Sequence, residues 1–213
     1  MKAIKKGNEP PSLTQHRCKT FSDYDNYLDK DGLRKNLVAE QGGICAYCLQ
    51  RIRPDESHMK IEHWHCQAKY STEQLDYSNM LGVCLGNKGK PERNQHCDTK
   101  KDDSDIQLNP ANPLHKVEEL IQFLGNGRVK SPDPKIDYEI NHILNLNEGS
   151  LVTNRAGVLD SFIKMLIDKG ELKPPRLQKM LQDWYQPSNG VLSPFCMVVV
   201  HWLRKKMNRT QRI

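Results

Sequence analysis

Two kinds of metal donor are interleaved in the first half of this sequence. Four cysteines fall as Cys45-x2-Cys48, then Cys84, then Cys97. Glu62-His63, Asn79 and Asp98 lie between and beside them. Thiolates hold zinc tetrahedrally, and a C-x2-C turn supplies two corners because its backbone aims both sulfurs inward. The second pair is wide: Cys84 and Cys97 are thirteen positions apart, where a spacing of about two to four is common. Closing the longer loop costs about 1.3 kcal/mol in chain entropy. A structural zinc contributes roughly 10–16 kcal/mol, so the insertion is tolerable. A redox C-x-x-C needs a strand before it and a helix after; here a predicted helix and Gly42-Gly43 come first. The pattern therefore points to a structural Zn²⁺ on Cys45, Cys48, Cys84 and Cys97, leaving Cys18, Cys66 and Cys196 as ordinary small residues.

Glu62-His63 suggests different chemistry. On a strand, neighbouring side chains point to opposite sides, but a bend can place the carboxylate on a metal while the imidazole faces a nucleophilic water. An imidazole with a pKa near about 6.5 can deprotonate that water at neutral pH. Oxygen ligands favour a hard cation, Mg²⁺ or Mn²⁺, which neutralises charge on a phosphate under attack. His65 shares the strand face of His63 and could touch substrate or metal. His96, beside Cys97, could replace a sulfur on zinc. Lys88, Lys90, Arg93, Lys100 and Lys101 surround this segment and could contact phosphates or form a solvated loop.

Composition narrows the setting. The chain has 213 residues, 37% hydrophobic and 27% charged, with a mean hydropathy of −0.75. No apolar run reaches the roughly 18 residues of a membrane span, and the opening Met-Lys-Ala-Ile-Lys-Lys lacks an apolar leader core. A cytoplasmic, reducing setting is expected, where seven cysteines favour metal or catalytic thiols over disulfides. Net charge is +6. Residues 1–20 carry +4 and residues 199–213 carry +5, which leaves −3 for the stretch between. Basic ends on an acidic body suit phosphate-contacting arms, or merely solubility.

The elements that must position these residues read as α+β. One or two short helices are expected across Phe21–Gln41, stopped by Gly42-Gly43. The cysteine turn follows, then a hairpin pairing Arg51–Arg53 with Met59–His63 around Pro54–Ser57. Residues 1–20 show no period. Asn109-Pro110-Ala-Asn-Pro113 marks a break, giving two regions, 1–110 and 111–213. Glu118–Val129 reads as strand, Asn-Gly turn, strand, with a helix over 117–124 as the competitor. Beyond Ile136 the apolar period is helical: a first face at Ile136–Leu144, a helix over Leu151–Ile167 stopping at Gly170, a third from Pro174-Pro175, and a fourth opened by Ser193-Pro194. These helices look like a C-terminal bundle whose apolar stripes are core.

Together the motifs resemble the zinc-framed HNH endonucleases, whose pattern is C-x2-C, acid-His, Asn, then a second cysteine pair. The resemblance implies a ββα-metal core, with His63 as general base, Glu62 and Asp98 as ligands of the catalytic Mg²⁺ or Mn²⁺, and Asn79 pinning the loop that carries the base. Asp98 stands where the family has His or Asn, so the last ligand is Asp98, His96 or Asn94. Glu40-Gln-Gly-Gly-Ile-Cys-Ala-Tyr-Cys48, Asp76-Tyr-Ser-Asn79, His96-Cys-Asp-x-Lys100 and Ile143-Leu-Asn-Leu-Asn147 with Asn154-Arg155 further resemble the PtuB-type nucleases of Septu and retron anti-phage systems. That resemblance implies a PtuA-type ABC/SMC-like ATPase partner and, in a retron, a reverse transcriptase with its multicopy single-stranded DNA. Nucleic acid is the implied substrate. The alternatives are the same chemistry on RNA such as tRNA, or a zinc module that binds nucleic acid or a partner without cutting.

Overall fold

The computed structural model describes residues 1–168 and 174–210, and its architecture is α+β. Pro11 opens α1 (Pro11–Arg17), where its missing N–H would have had no helical partner. Seven residues show too few turns for a period, which is why the sequence pattern passes over this helix. Asp29 caps α2 (Lys30–Glu40), its carboxylate accepting from the Gly32 amide at 2.9 Å. Residues 21–29 are turns, so the expected helical stretch shrinks to its second half. Gly42 and Gly43 end α2 at φ +62° and +72°, a left-handed pair that leads the chain directly into the cysteine turn.

The strand over Lys60–His63 (β1) forms as expected, but with a different partner. It pairs antiparallel with β2 (Met80–Val83), Glu62 opposite Leu81 and His63 opposite Met80. Arg51 instead bridges Ile44 across the cysteine turn. The reason lies at Gly82, whose outer backbone edge is taken by the Gln41 side chain, with N–H···Oε1 and Nε2–H···O contacts both at 2.7 Å. The amide of Ala46 also donates to the Gly82 carbonyl at 3.1 Å. This bracket fastens β2 to the cysteine turn and leaves its inner edge for β1.

The chain continues through α3 (Asp98–Lys101), α4 (Val117–Leu120) and a two-residue hairpin, β3 (Gln122–Phe123) with β4 (Val129–Lys130), closed over Asn126-Gly127. Both readings of this segment therefore hold in part: one helical turn, then the hairpin. Next come α5 (Pro134–Tyr138) with a π turn over Glu139–Ile143, then α6 (Gly149–Asp168), α7 (Pro174–Tyr185) and α8 (Cys196–Thr210). The expected stop at Gly170 lies outside the described residues. The last helix begins two residues after Pro194, because Phe195 takes a left-handed φ of +55° before the helix starts.

The main core joins Ile44, Leu81 and Val83 to Leu151, Phe162, Val199 and Leu203, with residues from both sides of position 110. A second cluster of Leu13, Tyr27, Leu33, Leu37, Leu75, Tyr77 and Met80 lies under α1 and α2. Strand β2 therefore feeds both. Part of the terminal charge is used internally. Lys6 pairs with Glu40 at 2.6 Å, Arg17 with Glu9, and Arg204 with Glu118, while Lys2 and Arg204 both lie over the Tyr185 ring. Arg212 lies outside the described residues. No helix among the described residues is long and apolar enough to cross a membrane.

Candidate functional site

The four cysteines meet. Their sulfurs lie within 4.8 Å of one another, all buried. Cys45 and Cys97 are 3.9 Å apart and Cys48 and Cys84 3.7 Å. A tetrahedron of sulfurs about 2.3 Å from a central ion has edges of about 3.8 Å, so the donor set fits a metal ion such as zinc. The wide Cys84–Cys97 loop is held from outside. Asn145 donates to the carbonyls of Arg93 and Gln95 at 3.0 and 2.8 Å, and the Cys97 amide donates to Leu144 O at 2.8 Å. At the base of the loop Gly86 is obligatory: a Cβ there would sit 2.1 Å from the His96 carbonyl, and its φ is +57°.

Four thiolates around a dication leave about two negative charges in a dry interior, which needs compensation. Arg155 of α6 is 1% exposed and supplies one cation. It donates through Nε to Gly127 O at 2.6 Å and through a terminal nitrogen to Leu146 O at 2.5 Å. Burial lowers its pKa to about 10, while the charges of Cys48 and Cys97 act in the opposite sense. His96 is not a fifth donor of equal standing. Its Nδ1 lies 3.2 Å from Cys97 Sγ and 3.9 Å from Cys84 Sγ, so it is placed as a hydrogen-bond donor to a closed set of sulfurs.

The second group opens onto a cavity of about 430 Å³ lined by Lys60, Glu62, His63, Cys66, Asp98 and Asp102 among others. Lys60 and Glu62 share one face of β1, and Asp98 approaches from the start of α3. Lys60 Nζ reaches Asp98 Oδ2 and Thr99 Oγ1, each at 2.7 Å. Glu62 Oε1 accepts a hydrogen bond from the Tyr47 hydroxyl at 3.0 Å and forms an ion pair with the Lys101 ammonium at 2.9 Å. Burial and then the adjacent Asp98 carboxyl push Glu62 well above the carboxylate range, against the pull of Lys101. Burial also pushes Asp98 up, but hydrogen bonding to Glu62 and the charges of Lys60 and Lys101 outweigh it and hold Asp98 low. The contacts from Tyr47, Lys101 and Lys60 fall on Glu62 Oε1 and Asp98 Oδ2, not on Glu62 Oε2 or Asp98 Oδ1. In donor chemistry the pair fits a divalent ion.

His63 lines the same cavity and is 7% exposed. Its Nε2 lies 2.9 Å from the Gln74 carbonyl, an acceptor only, so Nε2 carries the proton and Nδ1 holds the basic lone pair. Tyr24 packs edge-on against the ring at a centroid distance of 4.5 Å. Burial lowers the imidazole pKa below its usual value, which favours the neutral base. Asn79 lies behind, not in, the cavity. Its Oδ1 accepts from the His65 amide at 2.8 Å and its Nδ2 donates to His65 O at 3.0 Å. This contact fixes the chain just after His63. His65 is turned to structure, hydrogen-bonded through Nδ1 to Glu73 Oε2 at 2.7 Å and stacked between Trp64 and Tyr70.

Of Asp98, His96 and Asn94, only Asp98 stands beside Glu62. His96 is on the sulfurs, and the Asn94 carbonyl caps Asn87 within the loop. Lys101 is neither a phosphate-contacting arm nor a solvated lysine: its side chain is fully buried on Glu62, because it follows Asp98 by one helical turn. Lys100 pairs with Glu92, while Lys88 lines the cavity. Sequence reasoning missed Tyr47, Lys60 and Gln74. An aromatic between two zinc-spaced cysteines, and a lysine two residues before an acid on a strand, were the available signals. No protein-family model matches the chain, and no curated protein matches it either.

Proposed function

We propose that this protein is a metal-dependent HNH endonuclease that hydrolyses phosphodiester bonds of nucleic acid. In this reading β1, β2 and α3 form a reduced ββα-metal core, and Zn²⁺ on Cys45, Cys48, Cys84 and Cys97 fastens its two ends. The carrying observation is the convergence of Glu62, His63 and Asp98 on one cavity beside the sulfur cluster. A zinc module that only binds would not need a buried neutral imidazole next to two carboxyls.

Glu62 and Asp98 would hold Mg²⁺ or Mn²⁺, which when bound supplies charge neutralisation for the scissile phosphate and the leaving oxygen. His63 takes the proton from the attacking water at Nδ1, while the Nε2–H bond to Gln74 O keeps the ring in the right tautomer and orientation. Asn79 holds the following backbone so that the base does not drift. Lys88, at the cavity wall, is placed to meet a phosphate.

On the sequence resemblance, the protein acts in the cytoplasm as the effector subunit of a Septu or retron anti-phage system, delivered or restrained by a PtuA-type ATPase. In a retron a reverse transcriptase with its single-stranded DNA completes the assembly. A cleavage assay tests the proposal. The zinc-loaded protein is incubated with DNA and RNA substrates with Mg²⁺ or Mn²⁺, alone and with the neighbouring gene products. Metal-dependent cleavage by wild type and none by H63A supports the reading. Wild-type rates from H63A, or binding without cleavage under every condition, overturn it.

A further inference from the structure

We infer that Tyr47 is a positioning residue through which the zinc-binding turn sets the geometry of the Glu62/Asp98 ion site. The inference rests on the nuclease reading above and adds to it a dependence of one metal site on the other.

Tyr47 stands between Cys45 and Cys48 in the turn that supplies half of the sulfur tetrahedron. Its side chain leaves the sulfurs and runs to the carboxyl pair, 1% exposed throughout. There the hydroxyl donates to Glu62 Oε1 at 3.0 Å. Asp98 is tied to the same cluster by the chain itself, since it follows Cys97 directly. Cys97 takes a φ of +56°, a conformation that costs a non-glycine residue about 1–3 kcal/mol and persists only where the surroundings impose it. Here the Leu144 carbonyl holds its amide at 2.8 Å. Both carboxyls therefore hang from the sulfurs, one by a peptide bond and the other by a single phenol.

The second group on Glu62 Oε1 is why the phenol matters. Lys101 Nζ lies 2.9 Å from that oxygen, fully buried, and makes no well-directed hydrogen bond. With the Tyr47 hydroxyl gone, the ammonium would be the only donor on Oε1 and would draw the carboxylate toward α3. Groups that orient a metal ligand in this way are worth about 10–100-fold in metal affinity.

The test is a Mn²⁺ titration read by electron paramagnetic resonance on the full chain carrying zinc, comparing wild type, Y47F and E62Q. Y47F is expected to bind Mn²⁺ roughly 10–100-fold more weakly, with one zinc per chain and an unchanged melting temperature. E62Q is expected to abolish this Mn²⁺ site. Wild-type Mn²⁺ affinity in Y47F, with E62Q impaired, overturns the inference and leaves the nuclease reading standing. Identical behaviour of wild type and E62Q overturns the ion site itself. Loss of zinc or of fold in Y47F also overturns the inference, since Tyr47 would then be a structural part of the turn.

Discussion

The sulfur cluster and the carboxylate cavity are neighbours built on opposite principles. At the first, four soft donors are 0–2% exposed and close on one another. At the second, hard donors face a cavity of about 430 Å³, and their charge is tempered by Lys60 and Lys101. A closed set has no position left for a substrate, whereas an open one has. In the proposed nuclease reading the contrast gives stability to the sulfurs and reactivity to the oxygens, although Cys97 and Asp98 are adjacent in the chain.

The comparison breaks most easily at the sulfurs. Replacing Cys97 with Ser, or stripping the metal with a strong chelator, should unfold the region around β1 and β2. The expected loss is of the order of the roughly 10 kcal/mol that such sites contribute, visible as a collapsed thermal transition. If C97S keeps its melting temperature, the cluster is not the clamp described here.

At the cavity the signature should be reversed. H63A should lower cleavage by about 10²–10⁴-fold while zinc content and melting temperature stay at wild-type values. A parallel fall in stability would place His63 among the structural residues. Asn79 sits between the two behaviours: N79A deprives the backbone of His65 of two buried partners. A cost of about 1–3 kcal/mol should appear in denaturant titration together with a smaller fall in rate. A full loss of cleavage without loss of stability would move Asn79 into the catalytic group.

The smallest effect concerns pH and the far side of the core. Burial lowers the pKa of His201 below its usual 6.5, with Arg204 and Lys205 adding to the shift. Unfolded chains then bind the proton more readily than folded ones, so stability should fall as pH drops through about 6.5. H201Q should flatten that slope slightly in thermal melts between pH 5 and pH 8, and an unchanged slope would mean the imidazole contributes nothing there.

Some of this was legible before any coordinates. The four cysteines announce a sulfur site because spacing and residue type are local properties. Alternation over Met59–His63 and the 3.6-residue period after Gly149 likewise mark β1, α6 and α8, since each period depends only on near neighbours in the chain. Helix α1 was not legible, being too short for a period.

Long-range choices were not legible either. Nothing in Arg51–Arg53 indicates that its pairing edge is lost to Ile44, nor in Gly82 that Gln41 will bracket it and leave β2 for β1. Lys101 looks like any loop lysine until α3 turns it inward onto Glu62. Residue types and periods declare which chemistry is available, because they are written along the chain. Which donors meet is decided by edges and faces left free once other segments have packed, and that competition exists only in three dimensions.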